Sequence, residues 1–375
     1  MTDWDGEASV GVLALGDLAL QRPPARSDVI AELARAGEVF ANLEIVLTRR
    51  SEAAEKLLCL RADPGLAATL AECGVGVVSL ANNHAADFGL GGLEDTRSAL
   101  AGARVASVGA GSDFAEATAP VVRDREGLRI AFLGFATTLP NGCAAGPTRP
   151  GIAPIRILSR FIVDPVTMEE APGMAPFVET APMPGDVDRA CSAVRDAAAA
   201  ADVVVVGIHW GVPDGWAARF QGELATYQRP LAHALVDAGA DSIVGHHPHV
   251  VHAVELYRER PIFYSLGNFL FHALLEQDPE VARPAPSYQW SSLRGELNTY
   301  GAVAALRWGA GGGPPETVEL WPLRLSRAGE PAFANNDDAD AVIGRVRELS
   351  EPLGTTVERR SRQGRVVASF AGPAA

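Results

Sequence analysis

The segment DVDRACSAVRDAAAAADVVVVGIHWG, residues 186–211, sets a long Ala-rich helix directly ahead of an apolar β-run that ends on His209. A continuous aliphatic run of strand length reads as a buried strand, and the helix feeding it reads as cover for a sheet. The same order recurs along the chain. VGVLALGD precedes SDVIAELARAG, a strand in EVFANLEIVLT precedes LAATLAECG, and VGVVSLANNH precedes GLEDTRSALAGA. RIAFLGFATT is a further strand, and YQRPLAHALVDAGA is a helix feeding DSIVGHHPHVVHAVELY and then PIFYSLGNFLF. Alternation of this kind predicts an α/β domain with helix-covered strands.

Two stretches break the pattern. Residues 141–185, rich in Pro and Met, read as a long surface excursion, and residues 276–300 as a second polar loop. Loops of that length in a compact domain are functional lids or disordered segments. Beyond residue 300, GAVAALRWG and ETVELWPLRLS alternate as a hairpin, and GRVVASF adds a strand. The expected organisation is one domain over 1–320, with a C-terminal β-rich extension over 321–375 packed on it.

Charge and composition remove several function classes. The net charge of −14 opposes general binding of nucleic acid or anionic membrane. Lys56 is the only lysine, and its flanks RRSEAAEKLLCL contain no Gly-rich turn, so P-loop and lysine Schiff-base chemistry are both unexpected. Cys59, Cys73, Cys143 and Cys191 stand far apart, with neither a C-x-x-C pair nor a disulfide framework. No G-x-S-x-G is present. The N-terminus is acidic with a short apolar run broken by Asp17, and no run of about 18 apolar residues occurs. The expectation is a cytoplasmic chain without a membrane span, of unknown oligomeric state.

Ligand-type residues recur where strands end. Asp17 closes VLALGD, Glu44 sits in ANLEIVL, and Asn82-Asn83-His84 with Asp87 follows VVSL. His209 closes VVVVGI, His246, His247 and His249 follow SIVG, and Asn268 follows IFYSLG. Each has an ordinary reading taken alone: turn former, helix cap or core histidine. Together, at the strand ends where α/β sheets bind ligands, oxygen and imidazole donors suit divalent metal, one ion or two sharing a carboxylate. Arg61 in LRADP is a candidate for a substrate carboxylate or phosphate.

GD at Asp17, ANLE, SLANNHAADFG, HWG, GADSIVGHHPHVVHAVE and FYSLGNF occur in order over residues 9–272 and resemble the CapA family. These are the poly-γ-glutamate capsule biosynthesis proteins of the calcineurin-like metallophosphoesterase superfamily. RPGIAPI at 149–155 is similar to the family as well. The resemblance implies a four-layer αββα sandwich and a dinuclear centre of Mn, Fe or Zn. It implies Asp17, Glu44 (bridging), Asn83, His209, His247 and His249 as ligands. His84 is implied as the proton donor or charge stabiliser beside Asn83, and His246 and Asn268 join Arg61 as substrate-binding candidates.

The expected activity is metal-dependent hydrolysis of a phosphoester, or action on a γ-glutamyl amide, with a small or peptide-like anionic substrate. An amide-forming ligase or transferase and a non-catalytic scaffold subunit are the alternatives. Three positions depart from the family pattern. The usual D-x-H is D-L-A here, Pro213 stands where Glu is common, and His252 stands where Gln is common.

Overall fold

The computed structural model describes residues 10–56, 58–174, 176–211, 223–272 and 295–372. In the first sheet, strands Val10–Ala19, Glu38–Leu43, Val77–Ser79 and Ala106–Val108 lie side by side in parallel. On the other flank of Val10–Ala19 the sheet continues antiparallel through Tyr300–Trp308, Thr317–Leu325, Arg365–Ala371 and Thr356–Arg362. The second sheet has a parallel centre, Leu128–Ala136, Val203–His209, Ser242–His246 and Arg260–Phe263. Antiparallel strands Val121–Arg125 and Val254–Tyr257 form its edges.

The sheets pack face to face through Val12, Phe40, Phe132, Val205 and Val244, with the rings of Phe40 and Phe132 stacked at 5.3 Å. Helices Asp28–Leu33, Leu66–Glu72 and Gly89–Gly102 bury Val29, Leu70 and Leu93 against the outer side of the first sheet. Helices Pro184–Ala200 and Gln228–Asp237 bury Val194 and Leu231 against the second. The result is the four-layer αββα sandwich expected from sequence. It also explains the unbroken aliphatic run at Val203–His209: a central strand between two layers has no solvent face to mark with polar residues.

Position 320 falls inside strand Thr317–Leu325, which belongs to the first sheet. Helix Asn336–Ser350, capped by Asn335 accepting from the Asp338 amide, sends Val342, Ile343 and Val346 into the core between the sheets. Ser350 Oγ accepts from Val254 N at 2.9 Å, tying this helix to the second sheet's edge. Among the described residues no helix is long and apolar enough to cross a membrane.

The excursion over 141–185 is built rather than shapeless. Gly151–Ile152 pairs with Ala110–Gly111, and Ile157–Ile162 pairs antiparallel with Phe177–Pro182 around a short helix, Pro165–Glu170. The 276–300 loop lies outside the described residues as far as 294, as does Pro213.

Asp186 anchors the excursion. Its carboxylate is 1% exposed and accepts from Arg156 N at 2.9 Å and from Arg156 Nε and Nη2 at 2.7 Å each, with Arg189 also paired to it. Burial pushes this carboxyl up, but the Arg156 hydrogen bonds and charge outweigh it and leave it below its ordinary value. A carboxyl depressed on folding stabilises fully above its unfolded pKa of about 3.9, and the contribution is lost as pH falls through the lower folded value. Asp186→Asn is therefore expected to cost about 1 kcal/mol at neutral pH, discounted because Arg156 is half exposed, and nothing in strong acid. Urea denaturation at pH 7 and pH 2 measures both.

Candidate metal centre

The site forms where the parallel strands of both sheets end. Asp17 sits at an irregularity of strand Val10–Ala19, opposite Asn42 on one side and Asn268 on the other. Its amide donates to Gly267 O at 2.9 Å. This close approach requires Gly16, because a β-carbon there would overlap the Gly267 carbonyl oxygen. Glu44 follows strand Glu38–Leu43, with its amide donating to Leu18 O at 2.7 Å. His209 is the last residue of its strand, level with His246.

His247 and His249 lie on the turn beyond Ser242–His246, with φ of +104° and +56°. Two non-glycine residues in the left-handed region are strained, and only packing around them maintains this. Those two reversals turn both rings toward the same place.

That place is centred on Glu44. Its Oε1 is 3.5 Å from His209 Nε2, 3.8 Å from His249 Nε2 and 4.0 Å from His84 Nε2. Asp17 Oδ2 is 3.4 Å from His249 Nδ1. Asn83 Oδ1 and His247 Nδ1 stand 2.8 and 3.0 Å from His209 Nε2. Two groups of potential ligands result, Glu44 with His209 and His247, and Asp17 with Glu44 and His249. In each, the ligand atoms lie within 4.8 Å of one another, and Glu44 is common to both.

The electrostatics fit a cation. Glu44 is fully buried, and neither carboxylate oxygen has a hydrogen-bond partner among the described residues. Burial, followed by the neighbouring Asp17 charge, pushes its carboxyl well up. An acceptor left without a donor in the interior costs several kcal/mol unless a positive charge satisfies it. His209 and His247 are held neutral, which is the ligating form. Burial first, then the other imidazoles, lowers His209 well below its usual value and His247 to about 3.

Surrounding side chains hold these groups in place. Asn268 Nδ2 donates to His249 O and to Asn298 O, at 3.4 and 3.0 Å, so its Oδ1 is the acceptor facing His249 Nδ1 at 2.9 Å. The proton of His249 is thereby fixed on Nδ1, leaving the Nε2 lone pair, on the side of Glu44, able to ligate. Asn42 Nδ2 donates to Asp17 Oδ1 at 2.8 Å, while Asn42 Oδ1 accepts from Asn82 at 3.0 Å. Asn82 also grips Leu43 O at 2.8 Å and accepts from His84 N at 3.0 Å, so it fastens the turn that presents Asn83 and His84.

His84 Nδ1 is 2.7 Å from Asp87 Oδ2, an oxygen that also accepts from Leu60 N at 2.6 Å. An ionised carboxylate only accepts, so Nδ1 carries the proton and Nε2 is the atom directed at the cluster. Lys56 pairs with the other Asp87 oxygen and donates to Asn83 O at 2.7 Å. The single lysine of the chain thus latches the 50–60 loop onto the Asn83–His84 turn. Breaking a buried pair strands its remaining charge. Asp87 is fully buried and Lys56 only 23% exposed, so Lys56→Met is expected to cost about 2 kcal/mol, read as a lowered urea midpoint.

Asp17, Glu44, Asn83, His84, His209, His247 and His249 therefore meet. The three substrate candidates are placed otherwise. His246 is buried with Nε2 at 3.0 Å from Leu15 O, and Asn268 has its amide engaged with His249 and Asn298 as above. Arg61 donates to Arg50 O and lies over the Phe88 ring at 5.1 Å. Asn42 is a functional residue that sequence reasoning does not single out; its nearest signal is ANLE, where it stands two positions before Glu44 near the end of strand Glu38–Leu43.

Fold and cluster together define a class, the αββα proteins of the calcineurin-like metallophosphoesterase type, with ligand-type residues gathered at the strand ends. Residues 13–273 match the family described as bacterial capsule synthesis protein PGA_cap, and the chain belongs to that family. A probable polyglutamine synthesis accessory protein of Mycobacterium tuberculosis is 34% identical, over 85% of this chain and 74% of its own length. The capsule biosynthesis protein CapA of Bacillus anthracis is 34% identical over 58% of this chain and 45% of its own. An uncharacterized protein of Sinorhizobium fredii, y4sH, is 27% identical over 94% and 92%.

Proposed function

We propose that this chain is a metal-dependent enzyme of capsule-type polymer metabolism, cleaving a phosphoester or acting on a γ-glutamyl amide at the Glu44 centre. The observation that carries the reading is the fully buried Glu44 carboxylate, without a donor among the described residues and common to two groups of ligand-type residues. Asp17, Glu44, Asn83, His209, His247 and His249 would hold two divalent ions. Such ions supply Lewis-acid polarisation of a phosphoryl or carbonyl oxygen and lower the pKa of water. The chain's own part is to present the unprotonated His84 Nε2, its ring fixed through Nδ1–H by Asp87, as the group that accepts a proton and passes it to the leaving atom. The relatives named for capsule biosynthesis and for polyglutamine synthesis support the polymer setting.

The test is elemental analysis of protein stripped with chelator and reloaded with Mn²⁺. A turnover screen of p-nitrophenyl phosphate, bis-p-nitrophenyl phosphate and γ-glutamyl p-nitroanilide follows. Wild type should retain metal and turn over one of the three, and His209→Ala should lose both properties. A chain that retains no Mn²⁺, Fe²⁺ or Zn²⁺ sinks the proposal. Retained metal without turnover of any substrate favours the second reading, a non-catalytic subunit, which the word accessory in the Mycobacterium tuberculosis relative's name supports.

A further inference from the structure

We propose that the ribbon Ile157–Ile162/Phe177–Pro182, with the helix Pro165–Glu170 between its strands, is a docking groove for a basic amphipathic segment of a partner protein. Among the described residues nine large hydrophobic side chains stand exposed, and eight of them fall between Leu158 and Phe177, Val122 being the other. Scattered exposed apolar residues are ordinary, but a concentration on one protrusion marks an interaction surface.

Strand pairing in the ribbon sets which side chains share a face. Leu158, Arg160 and Ile162 pair across the strands with Ala181, Glu179 and Phe177, so all six share one side. On the opposite side Val178, Thr180 and Pro182 are partly covered, with Thr180 hydrogen-bonded to Thr226 of the main body at 3.0 Å, while Ser159 and Phe161, which pair with Thr180 and Val178, stand exposed. The ribbon is a two-stranded sheet of its own, and such a sheet is marginal in water without a covering partner. At its tip Ile162, Val163, Thr167, Met168, Met174 and Phe177 line a groove of about 200 Å³. Methionines adapt to varied apolar side chains, as surfaces that take an amphipathic helix require.

Charge selects the occupant. Residues 157–182 carry Asp164, Glu169, Glu170 and Glu179 against Arg160 alone, a net of −3. The Asp164 carboxylate is held at the lip by accepting from Val166 N and Thr167 N at 3.2 and 3.1 Å. A second copy brings the same acidic rim, and an anionic bilayer repels it. A segment with apolar anchors flanked by Lys or Arg matches both floor and rim.

The probes are a synthetic amphipathic helix of Leu and Lys, its Leu and Glu counterpart, and phosphatidylcholine vesicles, with self-association followed by light scattering. Wild type should bind the Lys peptide and prefer it to the Glu peptide by about tenfold or more. Met168→Ser/Phe177→Ser should abolish that binding with an unchanged melting temperature, both side chains being exposed. Glu169→Lys/Glu170→Lys should reverse the preference. Peptide binding indifferent to both double variants overturns the proposal. So does sensitivity to them that appears only in vesicle binding or self-association. None of these readouts involves the Glu44 centre.

Discussion

Glu44→Leu is expected to make the metal-free protein more stable while removing its stabilisation by divalent metal. The carboxylate is fully buried, lies between buried Leu43 and Ile45, and has no donor among the described residues. Replacing it by an apolar side chain of similar volume removes a desolvation cost, and the expected gain is about 1–3 kcal/mol without metal. In wild type, ions that bind only the folded state add RT ln(1 + [L]/Kd), about 2.7 kcal/mol at a hundredfold excess over Kd. The variant should show none of that. Its gain also depends on pH with a definite sign. A carboxyl raised on folding is tolerated below its unfolded pKa of about 4.3 and increasingly disfavours the fold as pH rises through the folded value. The advantage of the Glu44→Leu variant should therefore be small in acid and grow toward neutrality. Thermal melts of both proteins in EDTA and in Mn²⁺, at pH 5 and pH 7.5, give every term. A metal-free variant less stable than wild type, or still stabilised by Mn²⁺, would remove the basis for placing cations here.

Gly16→Ala has the opposite character, a single methyl with a global penalty. The added carbon would overlap the Gly267 carbonyl, which is main chain and cannot rotate away. That carbonyl accepts the Asp17 amide, and the same strands place Asp17 level with Asn268. Forcing them apart is expected to cost at least about 3 kcal/mol and to displace Asp17 from its cluster. Metal retention should fall together with stability. The control is Gly344→Ala in helix Asn336–Ser350, where an added β-carbon meets nothing within 4 Å. That change should stabilise by about 0.5–1 kcal/mol through helix propensity. Equal melting temperatures for the two variants would show that the approach at Gly16 is not tight.

Much of the centre was legible because the chemistry is local to strand ends. Glu44, Asn83-His84, His209 and the H-x-H each follow an apolar run, and a strand's end in an α/β sheet is where ligands collect; Asp17 instead sits two residues inside its strand, at the irregularity. The excursion over 141–185 was read as irregular. Its Pro and Met content hides a ribbon whose strands, among the described residues, pair only with each other, with burial too weak to impose alternation on the sequence. For Asn268 and His246, residue type and position at a strand end do not reveal the hydrogen bonds that the fold gives them, to His249 and Asn298 O and to Leu15 O. Asp87 and Lys56 stand 31 positions apart with no shared pattern, and only the crossing of the 50–60 loop over the Asn83–His84 turn makes them partners.

The sequence by itself determined the alternation of helices with buried strands and the residue types able to hold a cation, because periodicity and residue type are local properties; the four-layer arrangement was implied by the family resemblance. The tertiary structure alone decided which of those residues meet, which nitrogen of His249 carries the proton, and which amides are spent on support. Those outcomes depend on strand register, on two reversed φ angles and on contacts between residues more than two hundred positions apart, such as Asp17 and His249.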